Sequence, residues 1–221
     1  MTDQKSRFDL YQLFSVPFGR QNIGDVSELT NLVKQEKFFE TSNKDGFITE
    51  ETQLLHKDKY RKYLDLIENK LNNFLSSIGV DTENFNFYIT GSWGTKHQKG
   101  NYAPQHKHKN SLISGCLYLQ TDEKSGDINF VNLQNNLFPS TFDVGIKNTN
   151  PLNAEVMTFT PNNSDLYFFP SHLQHYVNPS NSSNDRYMIA FNSFVRGHFK
   201  EPTSSLKLER SKDYDWNWRY N

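Results

Sequence analysis

Near residue 84 the apolar spacing of this chain changes, and it does not change back before residue 195. Upstream, apolar side chains recur at three- and four-residue steps, the period of a helix; downstream they alternate, the period of a strand. So long a run at period two, cut into short strands by turns, suggests an antiparallel barrel or jelly roll. Turn residues interrupt the run at Gly100-Asn101, Lys124-Ser125-Gly126, Pro161-Asn162-Asn163 and from Pro179 to Asn184. The strands expected between them are 85–93, 104–108, 111–120, 127–133, 154–160, 164–169, 173–178 and 185–195. The fold class that follows is mainly β with N-terminal helices (α+β), organised as an antiparallel barrel or jelly roll.

The upstream part reads as support for that barrel. Residues 9–20 alternate around Pro17 and suggest an edge strand. A helix is expected near 25–36, with Asp25 as N-cap, Glu28 three residues on, and Val26, Leu29, Leu32 and Val33 as its apolar face. Residues 37–50 are polar and read as a loop. A second helix is expected over 52–78, with Tyr60, Tyr63, Leu64, Ile67, Leu71, Phe74, Leu75 and Ile78 in one stripe and Gly79 in the C′ position. The expected organisation is one domain: a strand and supporting helices over 1–83, a double-layered β core over 84–200, and a tail over 201–221 whose Trp216 and Trp218 suit docking on the barrel. The loop 134–150 stands where it would gate a cavity.

Composition narrows the function. A net charge of −1 argues against a nucleic-acid footprint or a polybasic membrane surface. The single cysteine, Cys116, rules out an internal disulfide, and no apolar run has the length of a transmembrane helix. A cytoplasmic location is expected, the host cytoplasm if the source is viral.

Histidine is scarce, seven in 221 residues, yet His106 and His108 stand two apart on an expected strand and His175 opens another. Imidazoles at i and i+2 share a strand face, and neutral imidazole is a good ligand for Fe, Zn, Cu or Ni. Lys107 and Lys109 fall on the opposite face, as solvent-facing lysines would. The candidate metal site is therefore His106, His108 and His175. His172 is open between ligand, neighbour and turn residue; His56, His97 and His198 have no companions and read as structural or exposed.

Arg186 follows His175 by eleven residues and shares a face with Met188, Ala190 and Asn192. A guanidinium among small and apolar residues is costly without an anion, and no acid is its partner by pattern. A bound dicarboxylate and an internal salt bridge both stand open. Tyr118 shares a face with Ser114 and Cys116. Arg186, Tyr118, Ser114 and Asn192 are the candidate cosubstrate-binding residues.

At these positions the chain resembles the iron(II)/2-oxoglutarate-dependent oxygenases with the double-stranded β-helix (cupin-like) fold, in particular their prolyl-hydroxylase-like branch. The resemblance rests on H-x-H at His106, then SGCLYLQ, SGDINF, FFPSHLQH and RYMIAFN. More narrowly, Leu13, Phe14 and Pro17, with the SW, SG-x-x-Y, FPS and R-x-x-I-A-F-N segments, are similar to a group of such oxygenases from marine bacteria and phages. The resemblance implies Fe(II) held by His106, His175 and His108, 2-oxoglutarate anchored by Arg186 with Tyr118, and O2 as oxidant. The implied outcome is hydroxylation of an unidentified substrate with release of succinate and CO2. The superfamily places a carboxylate where this chain has His108, which leaves the coordination open; Asp127 or water is the other candidate.

Two other readings remain at this level. A cupin-type metalloenzyme, or a three-histidine iron dioxygenase that does not use 2-oxoglutarate, would share the H-x-H but have no need of Arg186. A non-enzymatic β-barrel binding protein would hold no stoichiometric metal. The expected partners are a small-molecule cosubstrate and substrate, without nucleic acid or membrane, and homodimerisation is left open.

Overall fold

Strand β6, Ile113–Gln120, explains the architecture in one segment, because nearly every residue of it is buried. Ile113, Leu117 and Leu119 pack into one apolar cluster, whereas Cys116 and Tyr118 pack into another. A strand buried on both faces reads as a continuous apolar run, and successive residues serve different cores. The computed structural model describes residues 9, 11–41, 45–133, 145–200 and 203–209, and two antiparallel sheets form their framework.

The strands are β1 Gly19–Asn22, β2 Phe38–Glu40, β3 Phe47–Thr49, β4 Asn86–His97, β5 Ala103–His106, β6, β7 Ile128–Val131, β8 Val156–Phe159, β9 Asp165–Pro170, β10 His175–Val177, β11 Arg186–Phe199 and β12 Leu206–Leu208. The larger sheet runs β1-β9-β6-β11-β4-β3-β2, with β12 added to β11; the smaller runs β5-β10-β7-β8. Facing antiparallel sheets with non-sequential neighbours make a jelly roll, the architecture expected from the alternation.

Helices α1, Ser27–Lys34, and α2, Arg61–Ser77, lie on the outer face of the larger sheet. Leu64, Ile67, Leu71 and Leu75 of α2 are buried, each worth about 1.5–3 kcal/mol relative to exposure. The helix ends as Gly79 suggested. Gly79 has φ +86, its N–H reaches the Ser76 carbonyl, and the Val80 N–H reaches Leu75, which is a Schellman closure. The inner face of the larger sheet and the smaller sheet enclose the second cluster, in which Phe18 packs against Phe130, Phe159 and Tyr167.

Several expectations are corrected. The edge strand predicted over 9–20 is β1, which begins only at Gly19, although it does lie at the sheet edge. The predicted loop 37–50 contains the β2–β3 hairpin, whose three-residue strands are too short to show a period. The predicted 52–78 helix divides: Leu54–His56 and Asp58–Tyr60 are 3-10 turns before α2 begins. Asp25 does not take the cap position, which falls to Val26; its Oδ1 instead accepts from the Ser27 N–H and hydroxyl. Glu28 reaches across to Lys62. The expected strands of the core all form, with β4 and β11 longer than anticipated. Residues 134–144, in the loop expected to gate the cavity, lie outside the described residues, as do Trp216 and Trp218. Among the described residues no helix is long and apolar enough to cross a membrane.

Candidate active site

Antiparallel pairing of β10 with β5 sets His175 directly opposite His106. His108 lies just beyond the end of β5, where its N–H donates to the Ser171 carbonyl at 2.9 Å. That bond ties the H-x-H segment to the turn before β10. The ring centroids stand 4.3 Å apart for His106–His175, 5.2 Å for His108–His175 and 5.3 Å for His106–His108. Taking one ring nitrogen from each, all lie within 4.8 Å of one another, and the Nε2 atoms of His108 and His175 are 3.3 Å apart. Two nitrogens on neighbouring positions of one metal, each at about 2.1 Å, stand roughly 3.0–3.4 Å apart. The His108–His175 pair therefore already has the spacing of two ligands on one first-row ion, and His106 stands close enough to complete a set of three.

Their tautomers suit it. Nδ1 of His106 donates to the Pro104 carbonyl at 2.7 Å, and Nδ1 of His175 to the Leu173 carbonyl at 2.9 Å. A carbonyl only accepts, so the proton sits on Nδ1 and the Nε2 lone pair is free to ligate. Burial, reinforced by the neighbouring His106, pushes His108 down to about 4 and His175 down to about 3. Both are neutral, the ligating form, near pH 7. His106 is exposed and His175 buried, so the cluster sits at the mouth of the inter-sheet space.

Arg186 begins β11, and its side chain is completely buried. Its Nη1 donates to the carbonyls of Ser125 at 3.1 Å and Gly126 at 3.3 Å; its Nη2 donates to Nδ1 of His97 at 2.7 Å. Its Cζ stands 6.0 Å from the Tyr118 ring centre, and Tyr118 is itself fully buried. Nε has no partner, and no carboxylate reaches the guanidinium among the described residues. The internal salt bridge left open by the sequence is thus not formed. An unneutralised buried cation carries a penalty of several kcal/mol. Burial lowers the Arg186 pKa from its ordinary value.

The loop that supplies those two carbonyls is held by Asp122, whose carboxylate accepts from Ser182 Oγ, Ser125 Oγ, the Lys124 N–H and Asn184 Nδ2. The Ser182 hydroxyl leads in holding the Asp122 carboxyl down to about 2. Gly126 has φ +90, and a Cβ there would stand 2.2 Å from the Asn178 carbonyl oxygen. Asn178 is three residues beyond His175 along the same chain, so Arg186 sits roughly 10 Å from the imidazoles along the strand direction.

Ser114 and Asn192 are cross-strand partners, and Ser114 Oγ donates to Asn192 Oδ1 at 2.8 Å. Ser114 also bonds Ser171 at 2.8 Å, and Ser171 bonds Ser111 at 2.7 Å. This hydroxyl chain fixes the Asn192 amide. The register places Asn192 opposite Gly91, Ala190 opposite Trp93, Met188 opposite Thr95 and Arg186 opposite His97. Trp93 lies 6.3 Å from His108, ring centre to ring centre. Along this inner face, then, Arg186 and Asn192 fall on opposite sides of the level of the imidazoles.

Sequence reasoning passed over His97 and Thr95. His97 read as structural, yet it accepts from Arg186. Thr95 is buried, and its hydroxyl oxygen has no partner. The signal was available: Gly91, Trp93, Thr95 and His97 alternate on one face of one strand. His172 is exposed on the turn before β10 and stays out of the cluster. Asp127 stays out as well; its carboxylate accepts from Thr160 at 2.7 Å. Cys116 faces the inner cluster, and burial pushes its thiol up to about 12, which leaves it unreactive.

Residues 91–192 match the family model described as "Putative 2OG-Fe(II) oxygenase". No curated protein gives a significant match to the chain. Among solved structures, a prolyl-4-hydroxylase from Pseudomonas putida is 12% identical with a TM-score of 0.52, over 80% of this chain and 93% of that one. The α-ketoglutarate-dependent epimerase SnoN of nogalamycin biosynthesis is 10% identical with a TM-score of 0.58, over 88% and 89%. HygX from Streptomyces hygroscopicus, solved with nickel and 2-oxoglutarate bound, is 11% identical with a TM-score of 0.53, over 80% and 82%. At such identities the structures speak for the fold alone, and the family match supplies the sequence link. Residues 91–192 thus resemble the 2OG-Fe(II) oxygenase family in sequence, and the chain shares the double-stranded β-helix fold of the solved oxygenase structures.

Proposed function

We propose that the protein is an Fe(II)- and 2-oxoglutarate-dependent dioxygenase that hydroxylates its substrate with release of succinate and CO2. The observation that carries this reading is the pairing of a three-imidazole cluster on the smaller sheet with a buried, un-neutralised guanidinium on the facing larger sheet. His106, His108 and His175 would hold the iron through ring nitrogens. Such an ion would supply the redox chemistry that links oxidative decarboxylation of 2-oxoglutarate by O2 to oxidation of a substrate C–H bond.

The chain supplies binding, orientation and charge. Arg186, flanked by Tyr118 and the unpartnered Thr95 hydroxyl, receives the distal carboxylate, replacing a desolvated bare cation by an ion pair. Asn192, with its Oδ1 held by Ser114, keeps its N–H2 group for the metal-binding end of the cosubstrate. A three-histidine set adds no negative charge, so the dianionic cosubstrate meets the full charge of the ion. Phe130 and Phe169, packed on His175, keep the buried side of the site dry. A cupin-type enzyme that does not use 2-oxoglutarate has no role for a buried Arg186.

The test is succinate formation from 2-oxoglutarate in air with Fe(II), with and without candidate substrates, set beside metal analysis. His106→Ala, at an exposed position, is expected to keep the fold and lose stoichiometric metal and succinate release together. Succinate release that persists without bound metal would count against the assignment.

A further inference from the structure

His97 is the feature that the proposed roles leave over. It ends β4, is buried, and accepts the 2.7 Å bond from Arg186 Nη2. On its other edge Gly46 closes so tightly that a Cβ there would stand 2.7 Å from the His97 ring. The ring is wedged between the hairpin turn and the guanidinium.

A guanidinium has five N–H groups. The two on Nη1 go to backbone carbonyls, and one on Nη2 goes to His97. The nitrogens that keep a free hydrogen are Nε, which has no partner, and Nη2. These two share one edge of the guanidinium plane, the fork that grips a carboxylate in bidentate fashion. Every acceptor that fixes the group is electrically neutral: two carbonyls and one imidazole. No acid lies in the sequence between Glu83 and Asp122, and Asp122 is bound up with serines.

We propose that His97 is a positioning residue, a neutral acceptor that pins Arg186 in the plane needed for bidentate carboxylate binding and leaves its charge unspent for the anion. The proposal rests on the reading of Arg186 as the anchor of 2-oxoglutarate. It explains why a histidine stands where an acid would make the better arginine partner. An acid there would neutralise the cation and fill the site from within. A donor there would repel it, so the ring has to stay unprotonated at Nδ1; burial and the neighbouring Arg186 favour that state.

The experiment measures binding of 2-oxoglutarate to the full chain loaded with Zn(II), which allows no turnover, by calorimetry, with Zn(II) affinity and thermal midpoint recorded in parallel. His97→Asn keeps an acceptor near the Nδ1 position and is expected to bind within about threefold of wild type. His97→Leu, without an acceptor, is expected to bind at least about tenfold more weakly, and His97→Asp about a hundredfold more weakly, from the loss of one or more charge-assisted bonds. His97→Asp should do so while keeping Zn(II) affinity and at no loss of thermal midpoint, because its carboxylate pairs with Arg186. A merely structural histidine would not move binding and stability in opposite senses. Wild-type affinity for 2-oxoglutarate in both His97→Asp and His97→Leu would overturn the proposal while the reading of the site stands. Absence of 2-oxoglutarate binding in the wild-type protein would overturn both.

Discussion

Replacing Arg186 by methionine separates the functions of this site. The structure predicts three effects of different size. For stability, the Ser125 and Gly126 carbonyls and His97 Nδ1 lose their donor, at about 1–3 kcal/mol for each group left unpaired. Against this, the native state no longer holds a desolvated cation without a counter-ion, which returns several kcal/mol. The two contributions oppose each other, so the unfolding free energy should move by no more than about 3 kcal/mol in either direction. For 2-oxoglutarate, a bidentate pair of charge-assisted bonds disappears, at about 1.5–3 kcal/mol each, so Kd should rise roughly 10²–10⁴-fold. For metal, nothing should change, because no hydrogen bond links Arg186 to His106, His108 or His175 among the described residues. Calorimetric titration of Zn(II), then of 2-oxoglutarate into the Zn(II) form, reads the last two; urea unfolding reads the first. A 2-oxoglutarate Kd within about fivefold of wild type would refute the role of the buried cation, since even one lost charge-assisted bond exceeds that.

Acid should destabilise the fold through His97. Burial and Arg186 hold it down to about 3, below the ordinary 6.5, so between those values the unfolded chain binds the extra proton. This contribution is complete above about pH 6.5 and is lost toward pH 3 at roughly 1.4 kcal/mol per unit. Urea midpoints at pH 7.5 and 5 should fall more steeply in wild type than in His97→Asn, and parallel slopes would refute it. Gly126→Ala should cost about 2–4 kcal/mol, since it combines φ +90 with a Cβ set 2.2 Å from the Asn178 oxygen; a loss below about 1 kcal/mol by urea unfolding would mean that the turn yields freely. Ser114→Ala strips the donor from Asn192 Oδ1 and should cost about 1–3 kcal/mol. The same unfolding assay checks this, and an unchanged midpoint would count against the hydroxyl chain as a constraint.

The alternation after residue 84 made the core strands legible, because a strand with a buried face repeats with period two whatever its neighbours are. The same alternation put His106 with His108, and Arg186 with Asn192, on shared faces. Register was less visible. That His175 stands opposite His106, and His97 opposite Arg186, depends on which strands pair, and pairing is decided by turns and cores remote in sequence. The β2–β3 hairpin escaped because strands of three residues carry no measurable period. The entry to α2 escaped because Tyr60 keeps helical spacing to Tyr63 and Leu64 while the backbone before it is tightened into 3-10 turns. His97 escaped for a chemical reason: an isolated histidine gives no sign that its partner is a cation.

The two-sided burial of β6 and β11 has a consequence for how such a molecule can change over generations. Tyr187, Ile189 and Phe191 answer to the helices, while Arg186, Met188, Ala190 and Asn192 answer to the inner site. Adjacent codons along β11 are therefore under separate selection. Substitutions at odd positions of β11 act on folding alone, and those at even positions act on the site as well. A lineage acquiring a new substrate can thus change residues such as Met188 and Ala190 while the outer row, Tyr187, Ile189 and Phe191, keeps its packing on the helices.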